Sequence, residues 1–143
     1  ADLYVESSKN LKSINCPSGL NSAAIDEFLL IFLVAAKAKG VSFFKGLDEL
    51  NQKESPRLKW GSKILNLMGI KTKLTSNSLK IFGNPKINLK KKIVIKDYLK
   101  DHRIFMCSVI AALSFGGEWY IHDKNSIETS FPDFLKILKD LQK

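Results

Sequence analysis

Two stretches of the chain are apolar around the whole circumference of a helix, and each follows directly on charge. Phe28-Leu29-Leu30-Ile31-Phe32-Leu33-Val34-Ala35-Ala36 comes after Ile25-Asp26-Glu27. Ile104-Phe105-Met106-Cys107-Ser108-Val109-Ile110-Ala111-Ala112-Leu113-Ser114-Phe115 comes after Asp101-His102-Arg103. A helix with no polar face is one the fold buries on every side. Its first turn presents unpaired N–H groups and a partial positive charge, which attract anions. The pattern predicts helices over about 22–39 and 101–115, the first stopped by Gly40 as a left-handed cap and the second by Gly116-Gly117.

Between and around them the periodicity changes. Strands are expected over 3–7, 11–14, 41–45, 93–95 and 118–121, with a hairpin of 71–74 and 79–82 about Ser76-Asn77-Ser78 and a turn at Cys16-Pro17-Ser18-Gly19. Residues 46–54 read as a polar connection. Ser55-Pro56 opens an amphipathic helix, Ser55 capping it and Pro56 filling the first helical position. Leu58, Ile64, Leu65 and Met68 form its apolar face, Lys59 and Lys63 lie outside it, and Gly69 ends it. A last amphipathic helix follows Ser130-Phe131-Pro132 and shows Phe134, Ile137, Leu138 and Leu141 on one side.

The order apolar helix, glycine, strand, loop, surface helix occurs twice, about 75 residues apart. Asp26 answers Asp101, Gly40 answers Gly117, and Ser55-Pro56 answers Ser130-Phe131-Pro132. The expectation is one α+β domain over 1–143 built from two pseudo-repeats, about 1–75 and 76–143. If a rotation relates them, the helix starts meet on one face. Asp26, His102 and Arg103 then stand beside the loop that carries Lys53, Glu54 and Arg57.

A chain of 143 residues that is 45% hydrophobic suits one domain with a real core. Neither apolar run reaches the roughly 20 residues that cross a bilayer, and no signal-peptide pattern is seen, so no membrane partner and a cytoplasmic location are expected. The chain opens at Ala1 without a Met and is expected to be a piece or a processed product. Cys16 and Cys107 are too few for a disulfide framework and are expected to be free thiols. With His102 and His122 the only histidines and no ligand-spaced pair, no zinc site is expected.

The formal net charge of +9 raises nucleic acid as a partner. Lysines are scattered, however, and the densest run, Lys90-Lys91-Lys92, has no interleaved aromatic residue on which a base could stack. No nucleic acid is therefore expected, and a basic nucleic-acid-binding module stands as the alternative from a different class. Of 23 basic residues only Arg57 and Arg103 are arginines. In a chain that otherwise uses Lys, these two are expected where a planar, bidentate fork is needed.

Arg57, Arg103 and Lys53 gathered at helix starts make a candidate site for phosphate plus carboxylate. Asp26 and Glu54 would repel such a ligand, so their use there is proton transfer. The plainer alternatives are a solvated charge run for Lys53, Glu54 and Arg57, and a helix-dipole partner for Asp26.

Ile25-Asp26-Glu27, Lys53-Glu54-Ser55-Pro56-Arg57, Asp101-His102-Arg103-Ile104-Phe105-Met106 and Thr129-Ser130-Phe131-Pro132 together resemble the C-terminal part of the 5-enolpyruvylshikimate-3-phosphate synthase family. The resemblance covers essentially the whole chain. It implies a partial enolpyruvyl-transferase domain of inverse α/β-barrel type, about two of three βαβαββ units with inner helices directed at a cleft. It implies addition of the 5-hydroxyl of shikimate 3-phosphate to phosphoenolpyruvate and then loss of phosphate, in the shikimate pathway of aromatic amino acid biosynthesis, with neither metal nor organic cofactor.

Residue by residue, Asp26 resembles the carboxylate that contacts the shikimate hydroxyl and takes its proton, and Glu54 the one that protonates the enol carbon. Lys53 resembles the lysine near shikimate 3-phosphate, Arg57 and Arg103 the pair that holds phosphoenolpyruvate, and His102 a supporting neighbour. Pro56, Asn51, Leu29 and Lys100 depart from the usual residues, and Thr129 stands where some members carry a further lysine. The implied partners are the two substrates and the family's N-terminal domain, whose substrate-holding groups have no counterpart here, so the chain alone is expected to be inactive. The related transferase acting on UDP-N-acetylglucosamine lacks the Lys-Glu-Ser-x-Arg and Asp-His-Arg pair, and nothing resembles the nucleotide site of an RNA-phosphate cyclase.

Overall fold

Helical backbone begins earlier than the apolar pattern does. In the computed structural model, which describes residues 4, 6–8 and 10–141, a 3-10 turn Ser18–Leu20, α1 (Asn21–Ala24), a second 3-10 turn Ile25–Glu27 and α2 (Phe28–Lys37) follow one another directly. Asp26 and Glu27 therefore sit at a 3-10 break inside a helical stretch, not in the first turn of a helix. The whole stretch, Ser18–Lys37, is 20 residues long with a mean hydropathy of 1.6, so by length and composition it could cross a bilayer. That corrects the expectation that neither apolar run could. Only its α2 part packs into the core, with Phe28, Phe32, Leu33 and Ala36 buried, while Ser18–Glu27 has no buried residue.

The helix stops at Lys37, two residues before the expected end, because Ala38 turns extended. Gly40 is not its cap but the first residue of β1 (Gly40–Lys45), held at φ 104°. A Cβ there would lie 2.6 Å from Ser13 Oγ, so the close approach as well as the positive φ selects glycine.

β1 pairs antiparallel with β3 (Ser78–Gly83), which pairs antiparallel with β2 (Thr72–Leu74). The hairpin falls where the turn residues placed it. On the other edge of β1 the expected strand over 11–14 shrinks to two parallel bridges, Lys12 to Lys39 and Asn15 to Phe43. Of the expected strand over 3–7, Leu3 and Val5 lie outside the described residues, and Tyr4, Glu6 and Ser7 belong to no strand. A second sheet is made of β4 (Leu89–Ile95) and β5 (Gly116–Ile121), parallel to each other and joined through α4 (His102–Phe115). Parallel neighbours need such a crossover, and a helix supplies it.

α3 (Arg57–Met68) buries Leu58, Ile64, Leu65 and Met68 and closes at Gly69 in the left-handed conformation, as the pattern requires. Its start differs from expectation. Pro56 is the N-cap and no side chain caps the helix, because the Ser55 hydroxyl donates to Asp101 instead. The connection over 46–54 is not wholly polar either. A 3-10 helix, Asp48–Gln52, folds back so that Leu47 and Leu50 are fully buried.

The core gathers around Phe28, Phe32 and Phe44, whose ring centroids lie 5.2 to 6.1 Å apart. Tyr98 is the largest fully buried side chain; it meets Trp60 edge-on and donates its hydroxyl proton to the His122 carbonyl. α2 and α4 run side by side in the same direction. Arg103 reaches the Asp26 carbonyl, Cys107 the Leu29 carbonyl and Lys37 the Ser114 carbonyl, sequence offsets of 77, 78 and 77.

Neither helix is buried on every face. Leu30 and Val34 of α2 are 38% and 55% exposed, and Leu113 of α4 is 51% exposed. Two helices, two small sheets and two outer helices cannot cover every side of both inner helices. The final helix, α5 (Phe134–Asp140), packs through Phe134, Leu135 and Leu138, while Ile137 and Leu141 face solvent.

Candidate active site

Asp101 holds the N-terminus of α4, its Oδ1 accepting the Arg103 backbone N–H at 2.9 Å. A cap needs no burial, yet this side chain is fully buried. Its remaining lone pairs are taken by the start of α3 and the residue ahead of its cap: Arg57 Nε donates to Oδ2 at 2.9 Å, Arg57 Nη2 to Oδ1 at 3.2 Å, and Ser55 Oγ to Oδ2 at 2.7 Å. Burial pushes the Asp101 carboxyl upward, but the hydrogen bonds from Arg57 and Ser55 and the guanidinium charge outweigh it. The group ends below the ordinary carboxylate range. For Arg57, burial opposes the charge, and the bond to Asp101 with the charges of Asp101, Glu54 and Asp26 more than restores it.

The far side of the Arg57 guanidinium faces two further carboxylates. Nη1 donates to Asp26 Oδ1 at 3.1 Å and Nη2 donates to Glu54 Oε2. The environment is graded: the Arg57 and Asp101 side chains are 3% and 0% exposed, and those of Asp26 and Glu54 are 46% and 53% exposed. Arg103 adds a second tier. Its Nη1 donates to the Asp26 carbonyl and to Glu27 Oε1, both at 2.9 Å, and its Nη2 lies 3.6 Å from Asp26 Oδ2. That carbonyl belongs to the 3-10 turn Ile25–Glu27, just ahead of α2.

Asp26, Glu54, Arg57 and Arg103 thus form one contiguous cluster. His102 is near it, lining with Asp26, Glu27 and Arg103 the polar end of an open groove of about 370 Å³ whose other wall is Leu30, Met106, Ile110, Phe131 and Phe134. Lys53 is not in the cluster, for its ammonium pairs with Glu49 Oε1 at 3.3 Å. Two guanidiniums meet four carboxylates, Asp26, Glu27, Glu54 and Asp101, so the cluster carries an excess of negative charge. As it stands it is a poor resting place for an anion. Among the described residues, no group of three or more His, Cys, Asp and Glu side chains is arranged to hold a metal ion.

Sequence reasoning missed Asp101, Ser55 and Glu27. Asp101 carried a usable signal, an Asp immediately before an apolar helix, which is an N-cap pattern. Nothing local announces that the same carboxylate is buried against an arginine 44 residues away.

The chain is similar to known proteins over nearly its whole length. The family model for EPSP synthase (3-phosphoshikimate 1-carboxyvinyltransferase) matches residues 4–138. The chain is 37% identical over 143 residues to the 3-phosphoshikimate 1-carboxyvinyltransferase of Thermodesulfovibrio yellowstonii, covering 99% of this chain and 32% of that protein. To the same enzyme from Zymomonas mobilis it is 38% identical over 144 residues, covering 99% and 31%. The fold matches EPSP synthase from Acinetobacter baumannii with a TM-score of 0.82 at 33% identity, over 92% of this chain and 30% of that one. The chain spans about a third of the length of the curated relatives it matches.

Proposed function

We propose that this chain, which belongs to the EPSP synthase family, supplies one wall of a site that joins phosphoenolpyruvate to shikimate 3-phosphate with release of phosphate. The observation that carries the reading is the graded arrangement about Arg57. A guanidinium is held from behind by a buried carboxylate and fronted by two half-exposed ones. Asp101 and Ser55 fix its plane, while Asp26 and Glu54 are free to exchange it for substrate.

In this reading the carboxylate and phosphate of phosphoenolpyruvate bind Arg57 and Arg103, and Glu54 leaves Arg57 to face the substrate. Asp26 takes the proton of the attacking hydroxyl as its oxygen bonds to the central carbon of phosphoenolpyruvate, and Glu54 delivers a proton to the terminal CH2. Elimination runs the second transfer backwards. Glu54 recovers a proton from the new methyl group, the carbon–oxygen bond to phosphate breaks, and phosphate departs with that electron pair and takes up the proton held by Asp26, which returns to its ionised form. His102, at the groove beside Arg103, supports the arginine's orientation. Lys53 serves shikimate 3-phosphate once it gives up Glu49.

The excess of carboxylates has a consequence for the whole enzyme. Cations must come from elsewhere, and the family's N-terminal domain is their source, so the 143-residue chain by itself is inactive and cytoplasmic activity requires that partner. We read the chain as two pseudo-repeats, about 1–75 and 76–143. The near-constant offset between α2 and α4 and the parallel pairing across each of them support that reading.

A chimera tests the assignment: this chain replaces the corresponding third of the Thermodesulfovibrio yellowstonii enzyme, and phosphate release is followed with both substrates. The expected result is turnover that Glu54→Gln and Asp26→Asn each cut by about a hundredfold or more, the range of a lost general acid or base. Turnover unchanged by both substitutions would refute the roles. Turnover by the isolated chain would refute the need for a partner.

A further inference from the structure

The three-stranded sheet gathers aromatic residues and lysines on its outer face. β1 points Ser42 and Phe44 into the core and Val41, Phe43 and Lys45 outward; β3 buries Leu79 and Ile81 and turns Ser78, Lys80 and Phe82 outward. The register aligns these into rows. Phe43 lies across from Lys80, which lies across from Lys73. Val41 lies across from Phe82, whose N–H bonds to the Lys71 carbonyl.

Each row thus holds one ring with its lysines, and neighbouring rows are about 7 Å apart, two strand residues. Lys80 Nζ rests 4.9 Å from the centroid of Phe43, and Lys71 Nζ 5.3 Å from that of Phe82. β1, β2 and β3 contain no Asp or Glu. None of Lys45, Lys71, Lys73 and Lys80 forms an ion pair among the described residues.

We propose that this face binds single-stranded nucleic acid, with bases stacked on Phe43 and Phe82 and phosphates held by Lys45, Lys71, Lys73 and Lys80. The four lysines lack an anion, and two have settled for the weaker attraction of an aromatic face. An unpaired strand supplies both missing partners, phosphates for the ammoniums and base planes for the rings they vacate. A duplex keeps its bases stacked on one another and offers the rings nothing. The face lies on the side of the sheet away from α2, so the site is separate from the groove at Asp26 and Arg103.

The test is fluorescence anisotropy of a labelled 12-nucleotide oligothymidine with the 143-residue chain across a salt series. Saturable binding at low salt is expected, with log K falling against log salt at a slope of roughly −3 for four phosphates. Lys73→Gln and Lys45→Gln should each reduce the slope by about 0.7. Phe43→Leu combined with Phe82→Leu, which keeps the apolar volume, should weaken binding at least tenfold with the slope unchanged. Circular dichroism confirms that each variant is folded, and the two lysine variants touch no packing.

No saturable binding, a slope that ignores Lys45 and Lys73, or a folded Leu variant that binds like the parent would overturn the proposal. So would polyglutamate of similar length binding as tightly, since the rings would then add nothing.

Discussion

Replacing Asp101 by Asn removes a charge while keeping the shape and the helix cap. The Asn oxygen still accepts the Arg103 N–H, and Asn caps a helix about as well as Asp, so that bond survives. What is lost is the negative charge and the Oδ2 acceptor for Arg57 Nε at 2.9 Å and for Ser55 Oγ at 2.7 Å, around a side chain with no solvent exposure; Nη2 keeps the retained oxygen at 3.2 Å. The guanidinium stays buried, and its remaining charged partners, Asp26 and Glu54, are both half in water. Breaking one side of such a buried pair costs about 3–5 kcal/mol.

The pH dependence separates this cause from simple misfit. The Asp101 carboxyl is depressed in the folded state, so its contribution is complete above about pH 4 and is lost as pH falls through the folded-state value. Urea unfolding followed by the fluorescence of Trp60 and Trp119 at several pH values measures both effects. The Asn variant should lose about 3–5 kcal/mol at neutral pH and should lack the acid limb. Removing both partners, Asp101→Leu with Arg57→Met, should recover most of the loss. A deficit below about 1 kcal/mol, the worth of an exposed pair, or an unchanged acid limb would refute the account of Asp101 as the anchor of Arg57.

Three other outcomes follow from packing and burial. Gly61→Ala puts a Cβ 2.7 Å from the Phe32 ring, which can tilt, whereas at Gly83 it would meet the Ala38 carbonyl at 2.1 Å. Thermal melts should therefore show Gly83→Ala as the more damaging, with Gly61→Ala costing about 1–3 kcal/mol of overpacking despite the better helix former. Burial pushes the Cys107 thiol up to about 12, so a thiol reagent at pH 8 should titrate only Cys16 in the folded chain and both cysteines in denaturant. Burial, aided by Asp123, pushes Tyr98 up to about 12, so its contribution is whole below about pH 10 and is lost as pH rises toward 12. Tyr98→Phe should flatten that alkaline limb in unfolding curves.

The elements that were legible in the sequence are those set by local chemistry. Gly69 and the alternation on either side of Ser76-Asn77-Ser78 mark α3's end and the hairpin, and the apolar run after Asp101 marks α4. Errors arose where a distant partner changed what a residue does. Ser55 looks like a cap, but its hydroxyl is drawn to a buried carboxylate across the domain. Gly40 looks like a helix stop, but the helix has already ended at Lys37 and Gly40 opens a strand, where the approach of Ser13 leaves no room for a side chain. Within the site, the scarcity of arginine pointed to Arg57 and Arg103, and the fold sets both against Asp26. Lys53 went elsewhere, since Glu49 lies one helical turn away and competes for it. Asp101, read only as a counterpart of Asp26, proved unlike it, being buried and fully bonded where Asp26 is half in water.

Two smooth apolar helices laid in the same direction have little to stop one from slipping along the other. Here the axial setting is fixed by side chains that grasp carbonyls on the opposite rod, at Asp26 and Leu29 near one end and Ser114 at the other. α2 is 10 residues long, so Lys37 stands about 15 Å from the charged end. Releasing it, as in Lys37→Met, would loosen the far end of the pair while Arg103 and Cys107 still grip the other, so the rods would be free to splay about the charged end.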